Sequence, residues 1–206
     1  MIKFITNYYS ESWIYIMFLT TLTIFMTSLD TYTFTIFNTT LSYGLILLPL
    51  TFYLVMYITR KYRFLEGVLS IIISSVLLLA FSYIMSVVAG IDYNFQEVSV
   101  LLFSYMFSQL INIFLYYFLV NNTKVPFLLI LLNLFFSLVV YQFVYVIISL
   151  DLVITTNYWI TYFITIIIQL VISIFIALIE YIQLKELYKK ISIKKTKKSN
   201  KKKSAK

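Results

Sequence analysis

Two segments of the chain carry hydrogen-bonding side chains at the same spacing within otherwise apolar sequence. They read FSYMFSQLIN (103–112) and FSLVVYQFVY (136–145), and each has Phe-Ser, then Gln five residues after the Ser, then Asn112 or Tyr145 three residues further on. A carboxamide both donates and accepts hydrogen bonds. The repeated pattern is therefore typical of a site for an uncharged, hydrogen-bonding small molecule.

Polar side chains in the last three apolar segments lie on one face of each predicted helix and are not scattered around it. At about 100° per residue, Ser108, Gln109 and Asn112 share one arc of a helix. Polar groups facing lipid are costly, so these faces should point into a helix bundle. Two interpretations stay open: bonds between helices, each contributing about 0.6 kcal/mol, or a binding site. The candidate binding residues are Ser108, Gln109, Asn112, Asn133, Ser137, Gln142, Tyr145, Thr165 and Gln169.

The chain has neither histidine nor cysteine. It therefore lacks the commonest general base, thiolate nucleophiles, disulfides and the usual ligands of transition metals. No pair of acidic residues lies at the centre of the apolar segments. We expect no enzyme activity, no metal site and no cofactor.

The elements that must position these residues are membrane-spanning helices. Hydrophobic residues make up 62% of the chain and charged residues only 12%, against about a quarter charged in soluble domains. We predict an all-α integral membrane protein with one six-helix bundle in 1–184, in which the fourth and fifth helices are an antiparallel hairpin. Pro49 should kink or break the second helix. The predicted spans, each near the 20 residues that cross a bilayer, are about 13–29, 41–58, 68–88, 98–120, 125–150 and 158–182.

Basic residues alternate with acidic ones across the six spans, which predicts the orientation. Lysine and arginine lie before the first span and after the second, fourth and sixth, whereas the other three connections carry only Asp30, Asp92, Glu97 and Asp151. By the positive-inside rule both termini are cytoplasmic. The cytoplasmic basic group after the second span is Arg60, Lys61 and Arg63.

The C-terminal segment 185–206 holds 11 of the 16 basic residues. We predict a disordered polybasic tail on anionic lipid headgroups, each Lys contributing about 1 kcal/mol near the surface. Nucleic acid is not an expected partner, because no aromatic residue beyond Tyr188 is interleaved for stacking on bases. The use of Ile, Phe, Tyr, Lys and Asn is typical of a low-GC bacterium, whose cell membrane is the expected location. A homo-oligomer is left open.

The polar and apolar pattern of these segments resembles the VUT family of six-helix membrane proteins, the transporters of queuosine precursors. The resemblance implies transport of a 7-deazaguanine base, bound by the amides and carboxylates of the family's repeated Gln-x-x-Asp in neighbouring helices. The similarity covers most of the chain, including the segment 169–184. The residues in register are Gly44, Pro49, Arg60, Ser108, Gln109, Ser137 and Gln142.

The chain resembles a divergent member of the family, because it lacks the family's charged residues inside the membrane. Met56, Asn112 and Tyr145 stand where the family has Asp, and Gln169 stands where it has Lys. Asn133 replaces an Arg, and Leu178 replaces a Pro. A lost carboxylate removes a charge-assisted hydrogen bond, so the ligand is bound more weakly or is a different, neutral compound.

Three classes of function follow from the sequence. The first is a transporter of a small hydrogen-bonding solute, such as a queuosine precursor or a related neutral compound, bound near the bilayer midplane. The second is the substrate-binding S component of an energy-coupling-factor vitamin transporter, against which the scarcity of alanine weighs. The third is a membrane scaffold that derives from a transporter and no longer transports.

Overall fold

The computed structural model of the chain describes residues 2–29, 32–36, 39–89, 95–121, 127–149 and 158–203. Within them six helices are long and apolar enough to cross a membrane, so the chain is a multi-pass helical membrane protein. A two-stranded antiparallel hairpin lies between the first two helices. The elements are α1 (Ile2–Leu29), β1 (Thr33–Ile36), β2 (Thr39–Ser42), α2 (Gly44–Lys61), α3 (Phe64–Ala89), α4 (Phe95–Asn121), α5 (Phe127–Ser149) and α6 (Tyr158–Lys203).

The hairpin was not expected from the sequence, which we interpreted as a loop followed by a helix beginning at Leu41. Leu41 instead lies in β2, opposite Phe34 of β1, and the helix begins at Gly44. The alternation Thr-Phe-Thr-Ile in 33–36 is the period-2 pattern of a strand. This signal was available in the sequence.

Helix α2 is the central helix of the bundle, because it contacts all five other helices. Of its span, 56% is buried, the largest share among the six spans. One core cluster joins its middle, at Phe52 and Met56, to residues of α1, α4, α5 and α6. A second cluster joins Val55 and Ile58 to α1, α3 and α4. Two polar residues of α2, Thr51 and Thr59, are buried against the neighbouring helices.

Two backbone features fix the approach of α3 to α2. A Cβ placed on Gly67 would lie 2.2 Å from Oγ1 of Thr59, so a larger residue at 67 cannot fit without movement. In the turn between the helices, Arg63 has φ 148°, a conformation that residues other than glycine rarely adopt. The connection is thus tight, and the Thr59 side chain of α2 packs directly against α3 at Gly67.

Pro49 does not break its helix, contrary to the prediction of a break. Helix α2 runs from Gly44 to Lys61 with Pro49 inside it. The proline removes one backbone hydrogen bond near the start of the helix, and neighbouring helices in a bundle tolerate such a loss.

Helix α6 continues to Lys203, so the expected disordered tail from 185 is not confirmed. The segment 185–203 contains no Gly or Pro and is rich in Lys, which favours helix. The helix therefore extends past the boundary that we predicted between bundle and tail. The predicted connections between spans include Asp30, Asp92, Lys124 and Asp151, which lie outside the described residues. So does Pro126, near the predicted start of the fifth span, where a helix tolerates proline.

The two ends of the bundle differ chemically, and we name them for that difference. The hairpin end carries β1 and β2. The basic end carries Arg60, Lys61 and Arg63, which meet at the turn between α2 and α3. Lys61 lies among the rings of Tyr15, Tyr57 and Tyr62, with Nζ between 4.5 and 6.0 Å from their centroids.

Candidate functional site

Four polar side chains from three helices meet in the middle of the bundle, and we call them the carboxamide cluster: Thr51, Gln109, Asn112 and Asn133. Asn112 is central to it: its Nδ2 donates to the carbonyl of Phe52 at 3.1 Å and to Oε1 of Gln109 at 3.3 Å. Its Oδ1 accepts from Nδ2 of Asn133 at 2.9 Å. Gln109 in turn donates to Oγ1 of Thr51 at 3.4 Å. All four side chains are buried.

The helices position this cluster through ordinary helical spacing. Gln109 and Asn112 are three residues apart on α4, so both project toward α2. Asn133 reaches the cluster from α5 and also donates to Sδ of Met56 on α2 at 3.4 Å. Its Oδ1 has no hydrogen-bond partner among the described residues. The cluster is therefore closed on itself but retains one acceptor for another donor.

The two copies of the repeated motif are not equivalent in space, because α4 and α5 run antiparallel. Asn112 contacts Asn133, so Phe103 on α4 lies level with Gln142 on α5. Gln109 is six residues from Phe103, which corresponds to about 9 Å along the helix axis. The glutamine of the second motif therefore lies on the hairpin side of the carboxamide cluster and not within it.

Gln142 and Gln169 form a second polar layer, which we call the amide pair. The ring of Phe127 on α5 contacts that of Tyr181 on α6, and the two helices are antiparallel. Gln142 is fifteen residues after Phe127, and Ile166 is fifteen residues before Tyr181, so these two residues lie at the same level of the bundle. Ile166 is within about one turn of Gln169. Both glutamines are buried. Among the described residues, Nε2 of Gln142 and both amide atoms of Gln169 have no hydrogen-bond partner.

Gln169 borders a small cavity beneath the hairpin. The cavity has a volume of about 10 Å³, the space of roughly one water molecule. Thr165 and Gln169 of α6, Ser42 of β2 and the first turn of α2 at Leu45 line it. Leu45 is six residues before Thr51, so this second route also separates the amide pair from the carboxamide cluster by about 9 Å.

The remaining predicted site residues bond mainly to their own helices. The hydroxyls of Ser108, Ser137 and Thr165 donate to the carbonyls four residues earlier, at 2.7 to 2.8 Å. Tyr145 is half-buried and its ring stacks against Tyr141. These hydroxyls therefore do not form the bonds between helices that the sequence interpretation considered. The carboxamides are the groups that link helices.

A third polar layer, at the basic end, was missed in the sequence interpretation. The position of Glu180 near the cytoplasmic end of the sixth predicted span favours an interfacial residue, but its side chain is fully buried and its Oε1 lies 2.5 Å from Nη1 of Arg60. Tyr116 donates its hydroxyl hydrogen to the same oxygen. Nη2 of Arg60 donates to Oε1 of Gln183 at 2.5 Å, and Gln183 donates to the Tyr53 hydroxyl at 3.1 Å. An acid within an apolar segment, opposite a basic helix end, was the signal in the sequence.

The three layers follow one another along the bundle. The amide pair lies nearest the hairpin, the carboxamide cluster comes next, and the Arg60–Glu180 ion pair follows at the basic end. Tyr116 is four residues beyond Asn112 on α4, about 6 Å or one turn further. Polar groups therefore recur at intervals of one to two turns from the hairpin to the basic end.

Comparisons of the chain with known protein-family models, with curated proteins and with solved structures find no match.

Proposed function

We propose that the chain is a membrane transporter of a small, neutral, hydrogen-bonding solute. The observation that carries the proposal is the amide pair: Gln142 and Gln169 are buried, and three of their amide atoms have no partner among the described residues. An unsatisfied buried polar group costs free energy, so such groups are expected where a ligand supplies the missing bonds. Carboxamides recognise donors and acceptors alike, which fits a neutral solute.

In this proposal the solute passes the three layers in order. It binds the amide pair from the hairpin end, then replaces the hydrogen bonds that Asn112 makes to Gln109 and Asn133. Because amide bonds to the solute take the place of amide bonds between side chains, the exchange leaves few groups unsatisfied. The cavity at Gln169 has to enlarge before a solute can enter, which requires movement of the hairpin or of α2 relative to α6.

The sequence resemblance to the VUT family supports a nucleobase-like solute, such as a 7-deazaguanine precursor of queuosine. Such a base offers donors on its amino and ring N–H edge and an acceptor at its carbonyl. The neutral residues at 112 and 169, where the family has Asp and Lys, favour a neutral compound. The positive-inside rule gives the basic end, and both termini, a cytoplasmic location, with the Lys-rich end of α6 near anionic headgroups.

The test is complementation of a bacterial host that can neither make nor import queuosine precursors. The host expresses the chain and is fed a 7-deazaguanine base, and queuosine in tRNA is measured. We expect restored queuosine, and loss of it in Gln142→Ala and Gln169→Ala. Ser86→Ala is the control, because the Ser86 hydroxyl makes a solvent-exposed bond to the carbonyl of Tyr83 within its own helix.

Two results would contradict the proposal at different points. No restoration, with the protein confirmed in the membrane, would exclude this class of solute. Restoration that both glutamine variants leave unchanged would exclude the amide pair as the site.

A scaffold without transport is the second candidate function, and the carboxamide cluster favours it. Asn112 uses both amide hydrogens on Phe52 and Gln109, and its oxygen accepts from Asn133, so neither polar atom of this amide lacks a protein partner. A scaffold predicts that purified protein binds no 7-deazaguanine base in equilibrium dialysis. Binding that depends on Gln169 would exclude it.

A further inference from the structure

Glu180 is the buried carboxylate among the described side chains, and it lies within a membrane span. Its Oε1 accepts from Arg60 and from Tyr116. Its Oε2 is buried and has no hydrogen-bond partner among the described residues. One oxygen of this carboxylate is thus well bonded, and the other is available for a proton.

Because the Arg60–Glu180 ion pair is buried, it is not a simple source of stability. Removing two charges from water costs several kcal/mol each, and their attraction seldom exceeds that cost by much. Ionisable groups inside membrane spans commonly serve in proton relays. The pair also joins α2 to α6, one turn beyond the carboxamide cluster, where a solute moving to the basic end would have to pass.

We propose that Glu180 is a proton-binding site, and that its protonation breaks the ion pair with Arg60 and opens the polar path at the basic end. The inference rests on the transport function proposed above and adds to it the proton as coupling ion. The proton adds to the carboxylate to give a neutral carboxylic acid, and no other bond changes.

Of the charged and titratable groups around Glu180, Glu180 itself is the one that is expected to change its charge near pH 7. Those that face it are Arg60 and Tyr53 of α2, Tyr116 of α4 and Tyr188 of α6. Arginine keeps its proton in proteins, and tyrosine is neutral near pH 7. From α5, the buried residue packed near this part of α6 is Ile130, which is apolar.

Arg60 has other partners that keep its charge satisfied after Glu180 is neutralised. Its Nη2 donates to Gln183 at 2.5 Å, and its guanidinium lies 5.2 Å from the centroid of the Tyr57 ring. The Arg60 side chain is 10% exposed, so it already borders the surface at the basic end. Protonation can therefore remove the Arg60–Glu180 contact between α2 and α6 without leaving a buried, unpaired cation, because Arg60 keeps Gln183 of α6 as a partner.

The absence of cysteine from the chain permits a direct test with single reporters. Met56 is fully buried and lies one turn before Arg60 on α2, so Met56→Cys reports whether water reaches the far side of the ion pair. Lys185→Cys, at an exposed position on α6, corrects for the effect of pH on thiol reactivity itself. Both are labelled with a membrane-impermeant maleimide on purified protein in lipid nanodiscs, with no solute present.

We expect the ratio of the two labelling rates, Met56→Cys over Lys185→Cys, to rise about tenfold between roughly pH 8 and pH 5.5, a population shift of about 1.4 kcal/mol. Glu180→Gln in the Met56→Cys chain should give the high ratio at every pH. The matched control is Lys61→Gln, which removes the neighbouring exposed ion pair with Glu11, 3.5 Å long. It should keep the pH dependence.

A ratio that does not change with pH would overturn the proposal, and so would a low ratio in folded Glu180→Gln. The pH series needs no charge variant, so the proposal stays testable if Glu180→Gln fails to fold. Because no solute is used, the result is independent of the queuosine test. A pH-dependent ratio together with failed complementation would retain the proton site and reject only the proposed solute.

Discussion

Two substitutions of buried amides by leucine should change stability in opposite directions. Gln169→Leu removes an amide that is 1% exposed and has no partner for either of its polar atoms among the described residues. Each unsatisfied buried group costs about 1–3 kcal/mol, and polar effects inside membranes tend to be smaller than in water-soluble proteins. We therefore expect Gln169→Leu to stabilise the fold by about 1–2 kcal/mol.

Asn112→Leu should instead destabilise the fold. It removes three hydrogen bonds, to Phe52, Gln109 and Asn133. At about 0.6 kcal/mol for each bond within a membrane, the loss is about 2 kcal/mol. Comparing the two variants isolates the effect of the hydrogen bonds of the amide, because both substitutions replace a buried carboxamide with the same apolar side chain.

The assay is reversible unfolding in mixed micelles with increasing SDS, followed by tryptophan fluorescence. Ser86→Ala should lie within about 0.5 kcal/mol of the unaltered chain, as surface changes usually do. The same Gln169→Leu protein should lose uptake, so that stability rises as function falls. A destabilised Gln169→Leu protein would show that the amide is bonded in the folded state, which would refute the reasoning for the site.

Three further predictions concern the packing of the bundle, the turn after α2 and the orientation of the protein in the membrane. Gly67→Ala should destabilise the fold by about 1–3 kcal/mol through overpacking. Adding Thr59→Ala to that variant should recover most of the loss, because it removes the hydroxyl that the new methyl group meets. Equal instability of the single and double variants in SDS unfolding would contradict this. Arg63→Gly should stabilise the fold by about 1 kcal/mol, because φ 148° strains any residue with a Cβ; an unchanged unfolding midpoint would show that the turn is unstrained. In whole cells, an impermeant thiol reagent should label Tyr32→Cys and not Lys185→Cys, and the reverse pattern would invert the proposed orientation.

The number of helices was predictable from the sequence because apolar segments of membrane length are a strong, local signal. Six such helices are confirmed. Most boundaries are shifted by a few residues, as for α2 at Gly44 instead of 41, but α1 begins at Ile2 instead of about 13 and α6 continues to Lys203 instead of about 182. The hairpin was missed because its strands have only four residues each. Continuity through Pro49 depends on the support of neighbouring helices, which a single segment of sequence does not reveal.

The polar faces were predictable, but the partners of each residue were not. Helical spacing correctly grouped Gln109 with Asn112. The internal repeat suggested that Gln142 and Tyr145 would join them, yet antiparallel packing points the second motif toward the hairpin. The contact of Asn112 with Asn133 depends on which residues are level across two helices. The Arg60–Glu180 pair spans 120 positions in the sequence, so only tertiary structure identifies it.

The hairpin also limits how thick a bilayer the protein can fit. A two-stranded sheet leaves backbone groups on both outer edges without ladder partners, and such edges are not tolerated in hydrocarbon. Lipid tails must therefore end close to Gly44, where α2 begins, and at the other end near Lys61. Eighteen residues of helix span about 27 Å, slightly less than the usual hydrocarbon thickness of about 30 Å. The central helix is thus matched to a thin membrane, and thicker bilayers would have to compress around it or draw the hairpin inward.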